Sequence, residues 1–258
     1  MSSLMSKTIA LSALSIIVAV FFAFYIPAEA QDQQVVGYWQ FEEGSGKTIK
    51  DSSEIGNDGE IIADCKWVEG KFGKGLQVGG SKAYVSMPDS ESLQVTDAIT
   101  MAGWTNVTGG CIIGKGGDYF LRLAKGPAVN PGLQIGGWKE VTSKTILNEP
   151  QWYHIAATYD GKTFTAYLNG KPDGSIALSG QIAVNSNGDF VDLILGNTGW
   201  GPFHSEWDSL KIIDEILVAN YAFTDEEINE LMKHGLKGST VEPAGKLSAT
   251  WSRIKAGY

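Results

Sequence analysis

The stretch richest in metal-binding side chains is DSSEIGNDGE, residues 51–60, which holds four carboxylates within ten residues. Carboxylate and amide oxygens are the ligands that calcium takes in proteins. An EF-hand is excluded, because the fifth position counted from Asp51 is Ile55, where that loop needs an oxygen ligand. The stretch is therefore either a cation-binding loop of another spacing or a turn whose carboxylates accept backbone N–H groups.

Aromatic residues among glycines and a proline form a second candidate site. The segment NTGWGPFHSEWDSL holds several of them, and GGWKE adds one more. Aromatic faces pack against the C–H surfaces of sugars, while neighbouring polar side chains bond the hydroxyls. The alternative is that they cap a hydrophobic core, because Trp is usually well buried. The candidate ligand-binding residues are Trp138, Trp200, His204 and Trp207.

The chain has two cysteines, Cys65 and Cys111, which could form one disulfide in an exported protein. Two free thiols are the alternative, since a free Cys behaves as a small apolar residue. The three histidines show no zinc-ligand spacing relative to these cysteines, so a zinc site is not expected.

Composition and charge exclude several classes of protein. The 258 residues are 43% hydrophobic and 19% charged, which is globular composition. The formal net charge of −9 argues against a nucleic-acid partner, since phosphate binding needs a basic patch. The same charge is compatible with cation binding.

The N-terminus has the pattern of an export signal. Lys7 precedes a mostly apolar run, and Ala28-Glu29-Ala30 matches a cleavage site. We therefore expect residues 1–30 to be a signal peptide, with the mature chain starting at Gln31 and secreted or held at the cell surface. The alternative is an uncleaved membrane anchor, since the apolar run approaches the length of a spanning helix.

Short alternating segments predict an all-β protein. WYHIAATYD and TFTAYLNG each place apolar residues on one face, and Asp160-Gly161 between them signals a hairpin. FTDEEINELMKHG predicts one helix, with Thr224 and Glu227 as a capping box and Gly235 at its end. Residues 239–258 are a tail of unassigned role. Further strands are predicted over residues 36–41, 75–79, 83–87, 99–105, 111–114, 118–124, 133–136, 191–195 and 210–219.

Five stretches occur in an order that resembles the LamG-like jellyroll domains of the concanavalin A-like lectin/glucanase superfamily. They are VVGYWQFEEGSGKTIKDSSEIGNDGE, WVEGKFGKGLQVGG, AYVSMPDSESLQVTDAITMAGW, WYHIAATYDGKTFTAYLNGK and IDEILVANYAFTDEEI. The resemblance implies one domain over residues 31–238, with two antiparallel sheets packed as a jelly-roll sandwich and one short C-terminal helix. It also implies extracellular recognition of carbohydrates or proteins, often with a structural calcium.

The resemblance gives the acidic loop a structural role. In this family the loop lies near the strand that reads IDEI, where Asp214 alternates with Ile212 and Ile216. A carboxylate on an apolar face is costly unless it is paired. The expected calcium ligands are Glu42, Asp51, Asn57 and Asp214. The alternative is a turn of the Asx type with Asp214 bonded to backbone N–H groups.

Catalysis is not expected. The superfamily's glucanases place their acids in an E-x-D-x-x-E pattern, but EWDSLK has Glu206 and Asp208 followed by Lys211. Retaining hydrolysis needs two properly spaced carboxylates. The sequence therefore favours a secreted, non-enzymatic module that binds glycans. The alternatives are a structural or adhesive domain that contacts proteins without a small ligand and, third, a glycoside hydrolase.

Overall fold

The computed structural model describes residues 32–80, 82–107, 109–124, 126–186, 188, 192–197 and 209–238. The predicted signal peptide, residues 1–30, and the predicted tail, residues 239–258, lie outside these ranges. The described strands and helix all belong to the compact unit Gln33–Tyr258. Within the described ranges, no helix is long and apolar enough to cross a membrane.

The described residues form sixteen β-strands and one α-helix. The strands are β1 (Val35–Trp39), β2 (Thr48–Ile49), β3 (Gly59–Ile62), β4 (Lys66–Glu69), β5 (Lys74–Val78), β6 (Tyr84–Met87), β7 (Ile99–Thr105), β8 (Gly110–Lys115), β9 (Tyr119–Leu123), β10 (Val129–Gln134), β11 (Trp138–Glu140), β12 (Tyr153–Tyr159), β13 (Thr163–Leu168), β14 (Lys171–Ala177), β15 (Leu193–Leu195) and β16 (Lys211–Ala219). The helix is α1 (Asp225–Gly238).

The strands form two antiparallel sheets of eight strands each. Sheet A has the order β14-β13-β12-β7-β16-β5-β4, and β1 pairs with β16 beside this path. Sheet B has the order β11-β10-β9-β8-β15-β6-β3-β2. Consecutive strands pair as hairpins, such as β12 with β13, and distant strands pair within each sheet, such as β7 with β16 and β6 with β15. The predicted all-β sandwich with one helix near the C-terminal end is confirmed.

The core lies between the inner faces of the two sheets, and residue alternation selects which side chains enter it. On β12, Ile155, Ala157 and Tyr159 belong to the core cluster, whereas His154 and Ala156 point to the other side of the sheet. Every residue of this strand is nonetheless buried, so sheet A is covered on both faces here.

Helix α1 covers part of the outer face of sheet A. Its predicted capping box is confirmed, since Glu227 N–H donates to Thr224 Oγ1 at 3.2 Å and Thr224 N–H donates to Glu227 Oε2 at 2.7 Å. Gly235 leaves the helical conformation with φ 64°, which matches the predicted stop. The helix packs Ile228 and Leu231 against the outer side chains Tyr38, Ala102, Ala156 and Leu217.

The candidate disulfide between Cys65 and Cys111 is not formed, and both cysteines are free thiols. Cys111 is buried in sheet B, where its Sγ lies 3.1 Å from the carbonyl oxygen of Ile113. Cys65 lies between β3 and β4, with its Sγ 3.7 Å from the carbonyl oxygen of Ile62. Burial raises the pKa of both thiols to about 12, so the two cysteines are inert apolar residues.

Candidate functional site

The outer face of sheet B carries a cluster of aromatic and charged side chains on β9, β10 and β11. On β9, alternation sends Tyr119, Leu121 and Leu123 into the core. Phe120 and Arg122 therefore point outward. The strand register places Arg122 opposite Asn130 and Phe120 opposite Gly132. On the far side of β10, Gly132 pairs with Glu140 and Gln134 pairs with Trp138.

The aromatic half of the cluster is a pair of rings on either side of a glycine. The centroids of Phe120 and Trp138 are 4.9 Å apart, with the ring planes inclined at 44°. A Cβ at Gly132 would overlap the Phe120 ring, so only glycine lets that ring lie flat on β10. Phe120 is buried, whereas Trp138 is partly exposed at the edge strand. Trp138 is therefore the more accessible of the two rings.

The polar half of the cluster is centred on Arg122. Its Nε–H donates to Asn130 Oδ1 at 2.8 Å, and Nη2 donates to Glu140 Oε2 at 3.0 Å. The guanidinium carbon lies 4.2 Å from the centroid of the Phe120 ring. These contacts fix the direction of the guanidinium and balance its charge. We call Phe120, Arg122, Asn130, Trp138 and Glu140 the Trp138 site.

The sequence interpretation named one residue of this candidate site, Trp138, and did not name the other four. Trp138 was expected to bind ligand because it is an aromatic residue beside glycines. The signal for Phe120, Arg122, Asn130 and Glu140 is the two-residue alternation of YFLRL, VNPGLQ and WKE, which becomes informative only with the strand register. The other candidate ligand-binding residues, Trp200, His204 and Trp207, lie outside the described residues.

The acidic loop between β2 and β3 is a hydrogen-bonded turn centred on Asp51. Asp51 Oδ1 accepts the N–H groups of Tyr38 at 2.9 Å and Ser53 at 2.8 Å. Asp51 Oδ2 accepts Ser53 Oγ–H at 2.8 Å and the N–H groups of Gly56 at 3.1 Å and Asn57 at 2.7 Å. Five donors therefore satisfy this carboxylate without a cation.

Asn57 is likewise committed to protein partners. Its Nδ2 donates to the carbonyl oxygen of Val36 at 2.6 Å and to Ser92 Oγ at 2.9 Å. Its Oδ1 accepts Ser90 Oγ–H at 2.8 Å. The side chain thus links the acidic loop to β1 and to the segment after β6. Asn57 has a structural explanation that needs no metal.

Asp214 differs from Asp51 in having one oxygen without a partner. Asp214 Oδ2 accepts the N–H groups of Lys71 at 2.7 Å and Phe72 at 2.9 Å, which anchors the turn between β4 and β5. Asp214 Oδ1 is buried and accepts no hydrogen bond. Burial raises the pKa of Asp214 to about 7, and the nearby Glu42 carboxylate adds to the rise. This environment favours a positive charge beside the carboxylate.

Glu42, which follows β1 in the chain, contacts the same turn between β4 and β5. Its Oε1 accepts the N–H of Lys74 at 3.1 Å, and a Cβ at Gly73 would overlap its carboxylate. Among the described residues, no three His, Cys, Asp or Glu side chains converge on a metal-sized site. The four expected calcium ligands therefore do not form one set. Glu42 and Asp214 both accept N–H groups of the turn between β4 and β5, whereas Asp51 and Asn57 belong to the acidic loop.

A buried histidine lies near this turn on the outer face of sheet A. His154 pairs with Trp104 across β12 and β7, and the two ring centroids are 5.4 Å apart. Phe72 and Lys71 cover Trp104 from the turn, with Lys71 Nζ 4.4 Å from the ring centroid. His154 Nδ1 is buried without a hydrogen-bond partner, and burial lowers the pKa of His154 to about 3. His154 is therefore a neutral packing residue.

The comparisons with known proteins agree with this fold. The family model Laminin_G_3, described as the concanavalin A-like lectin/glucanases superfamily, matches residues 79–229, which is more than half of the chain. The chain belongs to the Laminin_G_3 family. The resemblance drawn from the sequence motifs is thereby confirmed. No curated protein matches this Laminin_G_3 chain by sequence.

Solved structures share the fold of this Laminin_G_3 chain at low sequence identity. The binding domain of Paraclostridial Mosquitocidal Protein 1 has a TM-score of 0.63 at 15% identity, over 77% of this chain and 52% of that one. A second structure is domain 4 of AbnA, a GH43 extracellular arabinanase from Geobacillus stearothermophilus, in complex with arabinotriose. Its TM-score is 0.61 at 17% sequence identity, over 79% of this chain and 100% of that one. The binding domain of botulinum neurotoxin DC in complex with SialylT has a TM-score of 0.59 at 12% sequence identity, over 77% of this chain and 50% of that one.

These likenesses establish the jelly-roll architecture of the Laminin_G_3 chain. The chain spans about half the length of the two toxin binding domains and the whole length of the arabinanase domain. The three structures are described as two toxin binding domains and as domain 4 of an extracellular arabinanase. The shared fold therefore does not identify which residues of this chain bind a ligand.

Proposed function

We propose that this protein is a non-enzymatic carbohydrate-binding module whose ligand lies against the Trp138 site. The observation that carries the proposal is the partly exposed Trp138 ring beside the ion pair of Arg122 and Glu140, on the outer face of a sheet. A flat ring packs against the C–H face of a sugar, and adjacent charged groups bond its hydroxyls. The proposal takes support from the arabinotriose complex of a domain with the same fold.

The absence of an enzymatic activity is part of this proposal. The acidic pattern of the superfamily's glucanases has Lys211 in its third position. That lysine is buried at the start of β16, where Nζ donates to the carbonyl oxygen of Gly196 at 2.9 Å. A buried ammonium held by a backbone carbonyl cannot replace the second carboxylate of a glycosidase. Glu206 and Asp208 lie outside the described residues.

Secretion or display at the cell surface is a further part of the proposal. It rests on Lys7, the apolar run and the Ala28-Glu29-Ala30 cleavage pattern. Extracellular glycans are the ligands that such a protein would meet. N-terminal sequencing of protein recovered from the medium should start at Gln31, whereas an intact Met1 in a membrane fraction would replace this view with an anchored protein.

We also propose a structural calcium at the turn between β4 and β5, held by Glu42 and Asp214. The buried Oδ1 of Asp214 supports this proposal, because it accepts no hydrogen bond and a carboxylate oxygen is a ligand that calcium prefers. Calcium takes six to eight oxygens, so backbone carbonyls and water would complete the shell. When bound, the cation would neutralise the two carboxylates and fix the turn.

A glycan array tests the carbohydrate proposal. The purified protein, Trp138→Ala and Trp67→Ala should be applied with calcium and with EDTA. Trp67 is a matched control, because it is a partly exposed Trp on the edge strand β4 of the other sheet. We expect the protein and Trp67→Ala to bind the same glycans and Trp138→Ala to lose at least tenfold in affinity. Silence of the unmodified protein on a broad array would instead favour a domain that contacts proteins.

A further inference from the structure

The Trp138 site contains one fixed cation and one exposed anion, and this arrangement bears on which glycans it accepts. The outward positions of β9, β10 and β11 carry two charged side chains, Arg122 and Glu140. Their ion pair has an N–O distance of 3.0 Å. The charges of these two side chains therefore balance each other within the Trp138 site.

Arg122 is more buried than its partner and is already engaged. Its side chain is 13% exposed, whereas that of Glu140 is 39% exposed. Asn130 and Glu140 take the Nε and Nη2 groups of the guanidinium, and Phe120 lies under its plane. A ligand carboxylate that sought the guanidinium would have to displace Glu140 or lie beside its negative charge. Of these two charges, the Glu140 carboxylate is thus the more accessible.

We infer that Glu140, oriented by Arg122, makes the Trp138 site selective for neutral glycans over acidic glycans. This inference rests on the proposed carbohydrate function. The Glu140 carboxylate accepts hydrogen bonds from sugar hydroxyls while the sugar ring lies against Trp138. A uronic or sialic acid in the same position places like charges next to each other, which opposes binding. Arg122 is a positioning residue that holds Glu140 in place.

The wider charge of the molecule acts in the same direction. The chain carries a net charge of −9, so a polyanionic glycan approaches against a repulsive field. Added salt screens such repulsion between exposed charges, with a screening length of about 10 Å at 0.1 M ionic strength. The preference for neutral glycans should therefore weaken as the salt concentration rises.

Matched ligand pairs test the inference. The affinity of the purified protein is measured for galactan against galacturonan oligomers and for lactose against sialyllactose. Glu140→Gln is compared with Glu69→Gln, a control at an exposed glutamate on the edge strand β4 of the other sheet. We expect the protein and Glu69→Gln to bind the neutral member at least tenfold more tightly. In Glu140→Gln this ratio should fall at least threefold, because the amide keeps an acceptor oxygen and loses the charge.

The possible outcomes separate the inference from the function on which it rests. A preference for the acidic members, or an unchanged ratio in Glu140→Gln, would overturn the inference while leaving carbohydrate binding intact. If no neutral or acidic glycan binds at all, the proposed function fails and the inference falls with it. As a second measurement on the unmodified protein, raising sodium chloride from 0.05 to 0.5 M should lower the ratio of neutral-glycan affinity to acidic-glycan affinity. An increase in this ratio would contradict the inference.

Discussion

The outer faces of the two sheets begin from the same two-residue alternation and end with different roles. On sheet A, the outward side chains Ala102, Ala156 and Leu217 are small or apolar and are sealed by helix α1. On sheet B, the outward side chains of β9–β11 include Arg122 and Glu140, which form an ion pair beside Trp138. An apolar outer face is stabilised by a covering helix, whereas a face that combines aromatic and polar groups has the chemistry of a ligand site. The outer face of sheet A therefore contributes to stability, and the outer face of sheet B carries the proposed ligand site.

The largest expected effect is on stability, at the helix-covered face. Ile228 of α1 is completely buried against sheet A, so Ile228→Ala removes three buried carbons and leaves a cavity. We expect the free energy of unfolding to fall by about 2–5 kcal/mol. Chemical denaturation measures it, with Ile146→Ala as the control at a side chain that is 49% exposed. Glycan affinity should not change, and a loss of binding in folded Ile228→Ala protein would break the division between the faces.

The second effect concerns the turn that covers Trp104 on sheet A. If calcium binds at Glu42 and Asp214, saturation at a hundredfold excess over Kd should stabilise the fold by about 2.7 kcal/mol. Chelation should then lower the Tm, and Asp214→Asn should remove most of that response. Thermal melts in calcium and in EDTA measure both.

Asp51→Asn sharpens this test, because Asp51 already has five hydrogen-bond donors. It should destabilise the protein in both buffers and leave the response to calcium unchanged. Equal melts of the unmodified protein in calcium and in EDTA would show that both carboxylates only hold turns.

A third effect follows from the buried histidine on sheet A. Because the pKa of His154 falls to about 3 on folding, the unfolded chain binds a proton below about pH 6.5 that the folded chain does not. The contribution of neutral His154 to the free energy of unfolding is therefore complete above about pH 6.5 and decreases as the pH falls. From pH 6.5 to pH 5 the free energy of unfolding should fall by about 1.6 kcal/mol more than that of His154→Gln, because the slope approaches about 1.4 kcal/mol per pH unit only below the unfolded pKa. Urea unfolding at several pH values measures it, and parallel curves for the two proteins would contradict the assignment of a neutral buried imidazole.

The smallest expected effect on stability is at the ligand face. Glu140→Gln breaks an ion pair whose carboxylate is 39% exposed, and exposed pairs contribute about 0–1 kcal/mol. The variant should unfold within about 1 kcal/mol of the unmodified protein while its glycan selectivity changes. A loss of several kcal/mol would mean that this pair is structural, as the contacts on sheet A are.

The sequence was sufficient for the fold because the longer strands carry the period of two. It predicted β7 and β12 over nearly their full length, and it placed the capped helix correctly. It missed β2, β3, β4 and β11, which have two to four residues and are too short to show a period. The pair Asp173-Gly174 is typical of a turn, but it lies within the edge strand β14, where the register with β13 shifts at a bulge.

The site was less predictable, because it depends on pairing between distant segments. Arg122, Asn130 and Glu140 meet only through the registers of β9 with β10 and of β10 with β11. The acidic loop posed a different problem. Sequence alone cannot state whether a carboxylate will face backbone N–H groups, as Asp51 does, or keep a free oxygen, as Asp214 does.

The most direct test of ligand binding on the outer face of sheet B is the change in tryptophan indole signals in ¹H–¹⁵N NMR spectra as a neutral glycan is added. The chain has eight tryptophans, so each indole N–H can be assigned by single substitution. We predict that the Trp138 signal shifts with saturating dependence on glycan concentration, while the signals of Trp104 under the turn of sheet A and Trp67 on β4 stay in place. A saturating shift at Trp104 or Trp67 with an unmoved Trp138 signal would contradict the assignment of ligand binding to the outer face of sheet B.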